Sequence, residues 1–379
     1  MSKDRQSNIM DELLSFSHEK FKSVHALGDL ERMLTGIPLP GLALRWLLES
    51  NVLPLGQLIG LAGPPKSHKS SLGYELMRWT MLHGGQSLLF DTEGKISADL
   101  LPSILGEQLA AGARAPIHAC ESVEDAQKRI TATLDFLRKK NVKDMPFCLM
   151  LDSIAGVSAE GRREKILGKV GHAEQDFPRE ALAWTSFFNT IPSALTDWPY
   201  LMVYVNHLKE KPQSKPGHAP SKISPGGMWQ YFRASLVLWL KRGEVSHDAQ
   251  YANERHMINI QCYRSSIGAD GRDIDVPFVR RFGEDGRQIS EFGWDEATAI
   301  LLCENSPNKE VAEICHVTAD NKSSYNCSAL GMKKVHPKEL GQAIHANEAM
   351  YGELQRVLHV KQHPVFGEKP VKRTEKRPS

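Results

Sequence analysis

The chain lacks any apolar run long enough to cross a membrane: FCLML at 147–151 and YLMVYV at 200–205 fall far short of the roughly 20 residues a spanning helix needs. Its first residues, MSKDRQSN, lack the apolar segment of a secretory signal, so a cytoplasmic location and no membrane partner are expected. Paired cysteines are missing too. The six present (Cys120, Cys148, Cys262, Cys303, Cys315, Cys327) contain no CxxC spacing, which argues against a disulfide framework and a zinc ribbon. Cys315, His316, Cys327 and His336 lie near one another in sequence, but their spacing fits no zinc-ligand pattern, and they read as ordinary buried or surface residues. Charge of one sign is also absent: 47 basic and 45 acidic residues leave a net +2, so total charge identifies no partner. No internal repeat is visible. A chain of 379 residues with 41% hydrophobic content can bury one large core and still form a smaller second unit.

What charge asymmetry exists is local. Residues 206–227, NHLKEKPQSKPGHAPSKISPGG, carry four lysines against one glutamate, with four prolines and no hydrophobic period, and read as a long, mobile, basic loop. Residues 361–379 hold six Lys/Arg against two Glu and read as a disordered basic tail.

Between these landmarks, short apolar runs suited to buried parallel strands occur at 57–62, 87–91, 116–120, 147–152, 200–206, 235–240 and 257–263. Helical patterns follow the first four. SLGYELMRWTMLHGG stops at Gly84-Gly85, and SVEDAQKRITATLDFLRKK places Val123, Ala126, Ile130, Leu134 and Leu137 on one face. This alternation predicts an α/β fold with a mostly parallel sheet flanked by helices. Residues 1–50 read as a separate N-terminal helical segment, 51–300 as the core, and 301–360 as a small helical C-terminal domain.

The stretch GPPKSHKSS (63–71) follows a strand and opens a helix, the setting of a phosphate loop of the form GxxxxGK[ST]. In such a loop backbone N–H groups converge on phosphate oxygens, the lysine neutralises the outer phosphates and the hydroxyl binds Mg²⁺. Gly63, Pro64, Pro65, Lys66, Ser67, His68, Lys69, Ser70 and Ser71 form the candidate ATP-binding loop, with His68 where the second glycine is expected. Histidine is tolerable there because it is less averse than most residues to positive φ. FCLMLD ends in Asp152, which can serve a nucleotide-bound Mg²⁺ together with Ser70. FDTEG presents Glu93 at a strand end, placed to orient or deprotonate a water attacking the γ-phosphate. Together the three features point to an ATPase.

The ordered set GPPKSHKSS, LLFDTEG, LMLDSIAG, VYVNHLKEK and SPGGMWQYFRASLVLWLKR resembles the RecA family of strand-exchange recombinases over about residues 50–290, and the KSxKS loop looks most like its phage, UvsX-like branch. The resemblance implies a RecA-like P-loop ATPase core using ATP and Mg²⁺, with Lys69, Glu93 and Arg264 catalytic and Ser70 and Asp152 on the metal. It implies that Asn206 and His207 sense the γ-phosphate, His207 replacing the family's glutamine. It assigns Lys209, Lys211, Lys215, Lys222, Gly226 and Gly227 to a DNA-binding loop and Arg162, Arg163, Lys165 and Lys169 to another. The expected partners are single- and double-stranded DNA, further copies in a helical filament, and single-strand-binding and mediator proteins, in the cytoplasm of a bacterial or phage-infected cell. Arg264 would complete a neighbour's site in trans, while Ser266 stands where the family has a second lysine, so hydrolysis is expected to be slow. The first 35 residues are expected to hold a polymerisation helix. The alternatives are a RecA-fold ATPase that does not pair DNA, such as a ring helicase or a regulatory ATPase, and a DNA-binding module with a dead site; retention of Lys69, Ser70, Glu93 and Asp152 argues against the last.

Overall fold

The computed structural model describes residues 35–94, 96, 100–106, 117–158, 177–210, 222–223, 229–248, 253–268, 270–283, 285–321 and 324–368. In chain order the first elements are β1 (Gly36–Pro38), α1 (Leu42–Leu48), β2 (Val52–Pro54), β3 (Leu58–Gly63), α2 (Lys69–Leu82), β4 (Gln86–Asp91), α3 (Leu100–Leu105), β5 (Ile117–Ala119), α4 (Val123–Lys139), β6 (Phe147–Asp152), α5 (Phe177–Leu195) and β7 (Tyr200–His207). The two-residue strands β8 (Lys209–Glu210) and β9 (Lys222–Ile223) pair with each other. They precede α6 (Trp229–Arg233), β10 (Leu236–Asp248), β11 (Asn253–Ser265), β12 (Asp273–Phe282), β13 (Gln288–Phe292), α7 (Trp294–Glu304) and α8 (Lys309–Ile314). The chain continues through β14 (Val317–Asn321), β15 (Ser324–Cys327), β16 (Met332–Val335), α9 (Pro337–Ala346) and α10 (Glu348–Val357).

The main sheet has nine strands in the order β13-β12-β11-β10-β3-β7-β6-β4-β5. From β10 to β5 neighbouring strands are parallel, and from β10 to β13 they are antiparallel. The sheet is therefore mostly parallel, as the alternating pattern implied, but mixed. All of β6 is buried and all but the last residue of β7, because both lie mid-sheet with helices on each face. Alternate β6 residues feed two cores: Cys148 and Met150 join α1, α2 and α7, whereas Phe147, Leu149 and Leu151 join α4 and α5. The α4 helix forms as its sequence dictates. Ser122 accepts from the Asp125 N–H at its start, Arg138 and Lys139 close its last turn, and its five apolar residues form the buried stripe.

The structure corrects three expectations. Residues 301–360 are not purely helical: β14, β15 and β16 form a three-stranded antiparallel sheet, and Val311, Cys315, Cys327, Leu340 and Leu354 belong to the same core cluster as α1 and α2. Residues 35–50 are not set apart either, since α1 is buried in that cluster. The tail expected from residue 361 is ordered through residue 368, where Val365 bridges Gly36, Lys361 bridges Ser50, and the Asn51 side chain bonds the backbone of His363. Those backbone bonds supply partners that composition does not reveal. The expected N-terminal polymerisation helix and residues 369–379 lie outside the described residues. Among the described residues, no helix is long and apolar enough to cross a membrane.

Candidate functional site

The candidate site forms where β3, β7, β6 and β4, four neighbours in the sheet, end together. In parallel sheets of this kind ligands bind beyond the carboxyl ends of the strands. From β3 the chain turns sharply into α2. Gly63 is required at this turn, because a Cβ there would stand 2.2 Å from the Leu240 carbonyl oxygen of β10. Lys66 and His68 both adopt φ 63°, so the loop is built on two left-handed residues, neither a glycine. His68 is the N-cap of α2 yet offers no side-chain cap to the helix, and the first turn of α2 carries no acidic residue.

Lys69 is buried, and its ammonium donates back into the loop, to Pro64 O at 2.7 Å and Ser67 Oγ at 3.3 Å. Burial lowers its pKa to about 8, with Asp152 and Glu93 opposing the shift, so the cation persists at neutral pH. Ser70 hydrogen-bonds Asp152, and the Tyr74 hydroxyl donates to Asp152 Oδ2 at 3.3 Å. Asp152 is itself buried, which raises its pKa to about 6. Glu93 adds to the rise, and Ser70, His207 and Tyr74 counter it. A carboxylate held this way is poised to accept a divalent cation, which would offset the cost of burying its charge, and a carboxylate beside a hydroxyl is an oxygen donor set that suits Mg²⁺.

Glu93 is fixed by a second set of bonds. The Asp91 carboxylate accepts from the N–H groups of Glu93 and Gly94, both at 2.9 Å, and shapes the turn after β4. Thr92 Oγ1 donates to Ser153 O at 2.6 Å and accepts from Ser153 N at 2.7 Å, clamping the ends of β4 and β6 together. Ser153 Oγ then donates to Glu93 Oε1 at 2.6 Å, and His207 Nε2 meets the same oxygen at 2.8 Å. The structure thus brings Lys69, Ser70, Asp152, Glu93 and His207 into one cluster.

Asn206 is placed differently. Fully buried, it donates to Gln230 Oε1 at 2.8 Å, so it ties the end of β7 to α6 and is not among the residues lining the loop cavity. Arg264 also lies outside that cavity, on β11, with its guanidinium 5.6 Å from the Phe232 ring centre. Arg162, Arg163, Lys165, Lys169, Lys211, Lys215, Gly226 and Gly227 lie outside the described residues, as do the side chains of Lys209 and Lys222. Among the described residues no three metal-ligating side chains cluster, and Cys315 and Cys327 are buried core residues.

The cavity beside the loop measures about 430 Å³. One wall is Lys66–Ser71 with His207; the other comes from the antiparallel strands as Arg242, Glu254, His256 and Arg280. This second wall escaped the sequence reading. Glu254 and His256 stand at the charged start of a strand whose apolar run begins only at Met257. Burial alone would raise the Glu254 pKa, but His256 and Arg280 outweigh it and hold the carboxyl below its usual range. Tyr74 was also missed, although its position four residues beyond Ser70 on a helix put it on the same face. A larger cleft of about 680 Å³ between α8 and α10 is lined by Glu310, Glu313, Glu353, Arg356 and apolar neighbours, away from this cluster. It gathers no buried hydroxyl or titratable group and makes no comparable site.

Compared with protein-family models and with curated proteins, the sequence matches none.

Proposed function

We propose that the protein is a RecA-fold, DNA-dependent ATPase that forms helical filaments on single-stranded DNA and catalyses homologous pairing and strand exchange. The observation that carries the reading is the convergence of Lys69, Ser70, Asp152, Glu93 and His207 at the ends of adjacent strands, beside a loop with two left-handed residues. In this reading residues 63–71 are a phosphate loop. Lys69 gives up its contacts with Pro64 and Ser67 to bind the outer phosphates, and the N–H groups of the first turn of α2 face the same oxygens. Ser70 and Asp152 would hold Mg²⁺, whose charge would offset the negative charge of the nucleotide's outer phosphates. Glu93, held by Ser153 and His207, orients the attacking water and accepts its proton.

His207 lies both against Glu93 and on the cavity wall, so it can exchange its carboxylate partner for a phosphate oxygen. Two residues after His207 the chain enters β8 and the lysine-rich segment 209–227, and Asn206 is fastened to Gln230 on its far side. Motion at His207 is thereby passed to a segment whose lysines and glycines suit a DNA backbone. Arg264, which is not among the residues lining its own chain's cavity, would serve the site of an adjoining copy.

The test is ATP hydrolysis by the purified protein with and without single-stranded DNA, with electron microscopy of the same mixtures and Lys69→Ala as control. DNA-stimulated hydrolysis that the control abolishes, together with helical filaments, supports the reading and makes strand exchange the next assay. Hydrolysis indifferent to DNA, or closed rings, favours a ring helicase or a regulatory ATPase instead.

A further inference from the structure

We propose that His256 is a positioning residue for the nucleotide loop: acting through the side chain of His68, it holds that residue in the left-handed conformation that a glycine would adopt unaided. The inference rests on the ATP-site reading above. An L-residue at φ 63° is disfavoured unless its surroundings hold it there. The surroundings of His68 do so on three sides. Its Nε2 meets His256 Nδ1 at 2.5 Å, its Nδ1 lies 3.4 Å from Ser71 Oγ, and its ring packs 4.3 Å from that of buried Phe278.

The far end of the chain of bonds places one proton. Glu254 is ionised and can only accept, so His256 Nε2, 2.8 Å from Glu254 Oε1, must carry its proton. In a neutral His256 ring Nδ1 is then an acceptor, so His68 Nε2 is the donor between the two rings and His68 Nδ1 accepts from the Ser71 hydroxyl. Arg280 donates to the other oxygen of Glu254 at 3.2 Å and fixes the start of the relay. Were His256 protonated, the two inner bonds would reverse, its Nδ1–H donating to His68 Nε2 and His68 Nδ1–H to the Ser71 hydroxyl, so each ring nitrogen of His68 finds its partner within the protein in either state. The His68 side chain is therefore committed to the protein and not to a phosphate. What it contributes to a ligand is the path of its backbone.

A double-mutant cycle in nucleotide affinity tests this, with a fluorescent ATP analogue titrated into the full-length wild type, His256→Ala, His68→Gly and the double variant. If His256 acts through His68, His256→Ala weakens binding about tenfold in the wild-type background, the factor by which a left-handed L-residue is disfavoured. In the His68→Gly background, where no side chain needs anchoring, the same change alters affinity less than about twofold. His256→Asn, whose amide oxygen takes the place of Nδ1, retains most of the affinity and guards against a variant that merely unfolds. Equal losses in both backgrounds, no loss in either, or an asparagine variant as weak as alanine overturns the inference while leaving the ATP site standing. A wild type that binds no analogue overturns the ATP-site reading and this inference with it.

Discussion

Glu93 and His207 are in contact with each other, and the shared oxygen Oε1 also takes the Ser153 hydroxyl. Glu93→Gln keeps an oxygen to accept both bonds but cannot accept a proton. It is expected to lower kcat by about 10²–10⁴ while nucleotide affinity stays within about threefold, because the loss falls on proton transfer and not on ground-state binding. Single-turnover hydrolysis beside equilibrium binding separates the two, and a loss under tenfold would remove Glu93 from the role. At this scale the sequence was readable where chemistry sits close to a motif. Lys69 and Ser70 open α2 just after β3, and Glu93 and Asp152 stand just past or at the ends of β4 and β6, all with recognisable spacing. His256 touches His68 from 188 residues away, and no local pattern could have joined them.

Among the elements, α2 is buried on nearly all sides, packed on the sheet and α3 with Trp79 against Trp294 of α7. Within it Glu75 is buried, its Oε1 accepting from Trp79 Nε1 at 3.1 Å, with Arg78 at 3.5 Å. Burial raises its pKa to about 7, with Glu291 adding to the rise and Arg78, Trp79 and Trp294 opposing it. The folded state therefore binds this proton more tightly than the unfolded chain, whose glutamates titrate near 4.5. Stability tied to Glu75 is fully present below about pH 4.5, falls as pH rises, and is gone above about pH 7. The cost of the buried charge is then on the order of 3 kcal/mol, at about 1.4 kcal/mol per tenfold in proton affinity. Glu75→Gln should thus raise the Tm relative to wild type at pH 8 and lose that advantage by pH 4.5; an equal difference at both values would refute the account. Gly63→Ala acts in the opposite sense. Its methyl group meets the backbone of β10, which cannot swing aside, so a loss of about 1–3 kcal/mol or more in chemical denaturation is expected at any pH. The elements that were legible are those with one strong pattern, such as the helical stripe of α4 and the unbroken apolar run of β6. β12 was not, because Pro277 interrupts it. The structure tolerates this proline because β13 pairs only from Phe278 onward, and on that side Pro277 is called on only for its carbonyl, which accepts from the Gly293 N–H at 2.7 Å. β14 and β16 were hidden by their exposed, charged residues, which carry no alternation.

For the whole molecule, the end segments expected to stand apart share one hydrophobic core with α2 and the nine-stranded sheet. The stretch 361–368 lies along β1 and the loop after α1, and the C-terminal helices share the core of α2. Apolar patterns in the sequence identified the end helices, but not which pieces share a core, because the partners are hundreds of residues apart. The same separation bears on Arg264, which the resemblance makes a cation for a neighbour's site and which lies outside the cavity of its own chain. A head-to-tail assembly gives every interface one donor of Arg264 and one owner of Lys69. Lys69→Ala and Arg264→Ala should each be inactive alone. Mixed in equal amounts, each interface pairing an Arg264→Ala site with a Lys69→Ala neighbour regains both groups, which random mixing makes roughly a quarter of all interfaces. Hydrolysis should therefore reappear on mixing at roughly that fraction of the wild-type rate and depend on total protein concentration. A mixture that stays inactive while each variant still assembles would confine the reaction to single chains, and an Arg264→Ala variant active on its own would remove Arg264 from it.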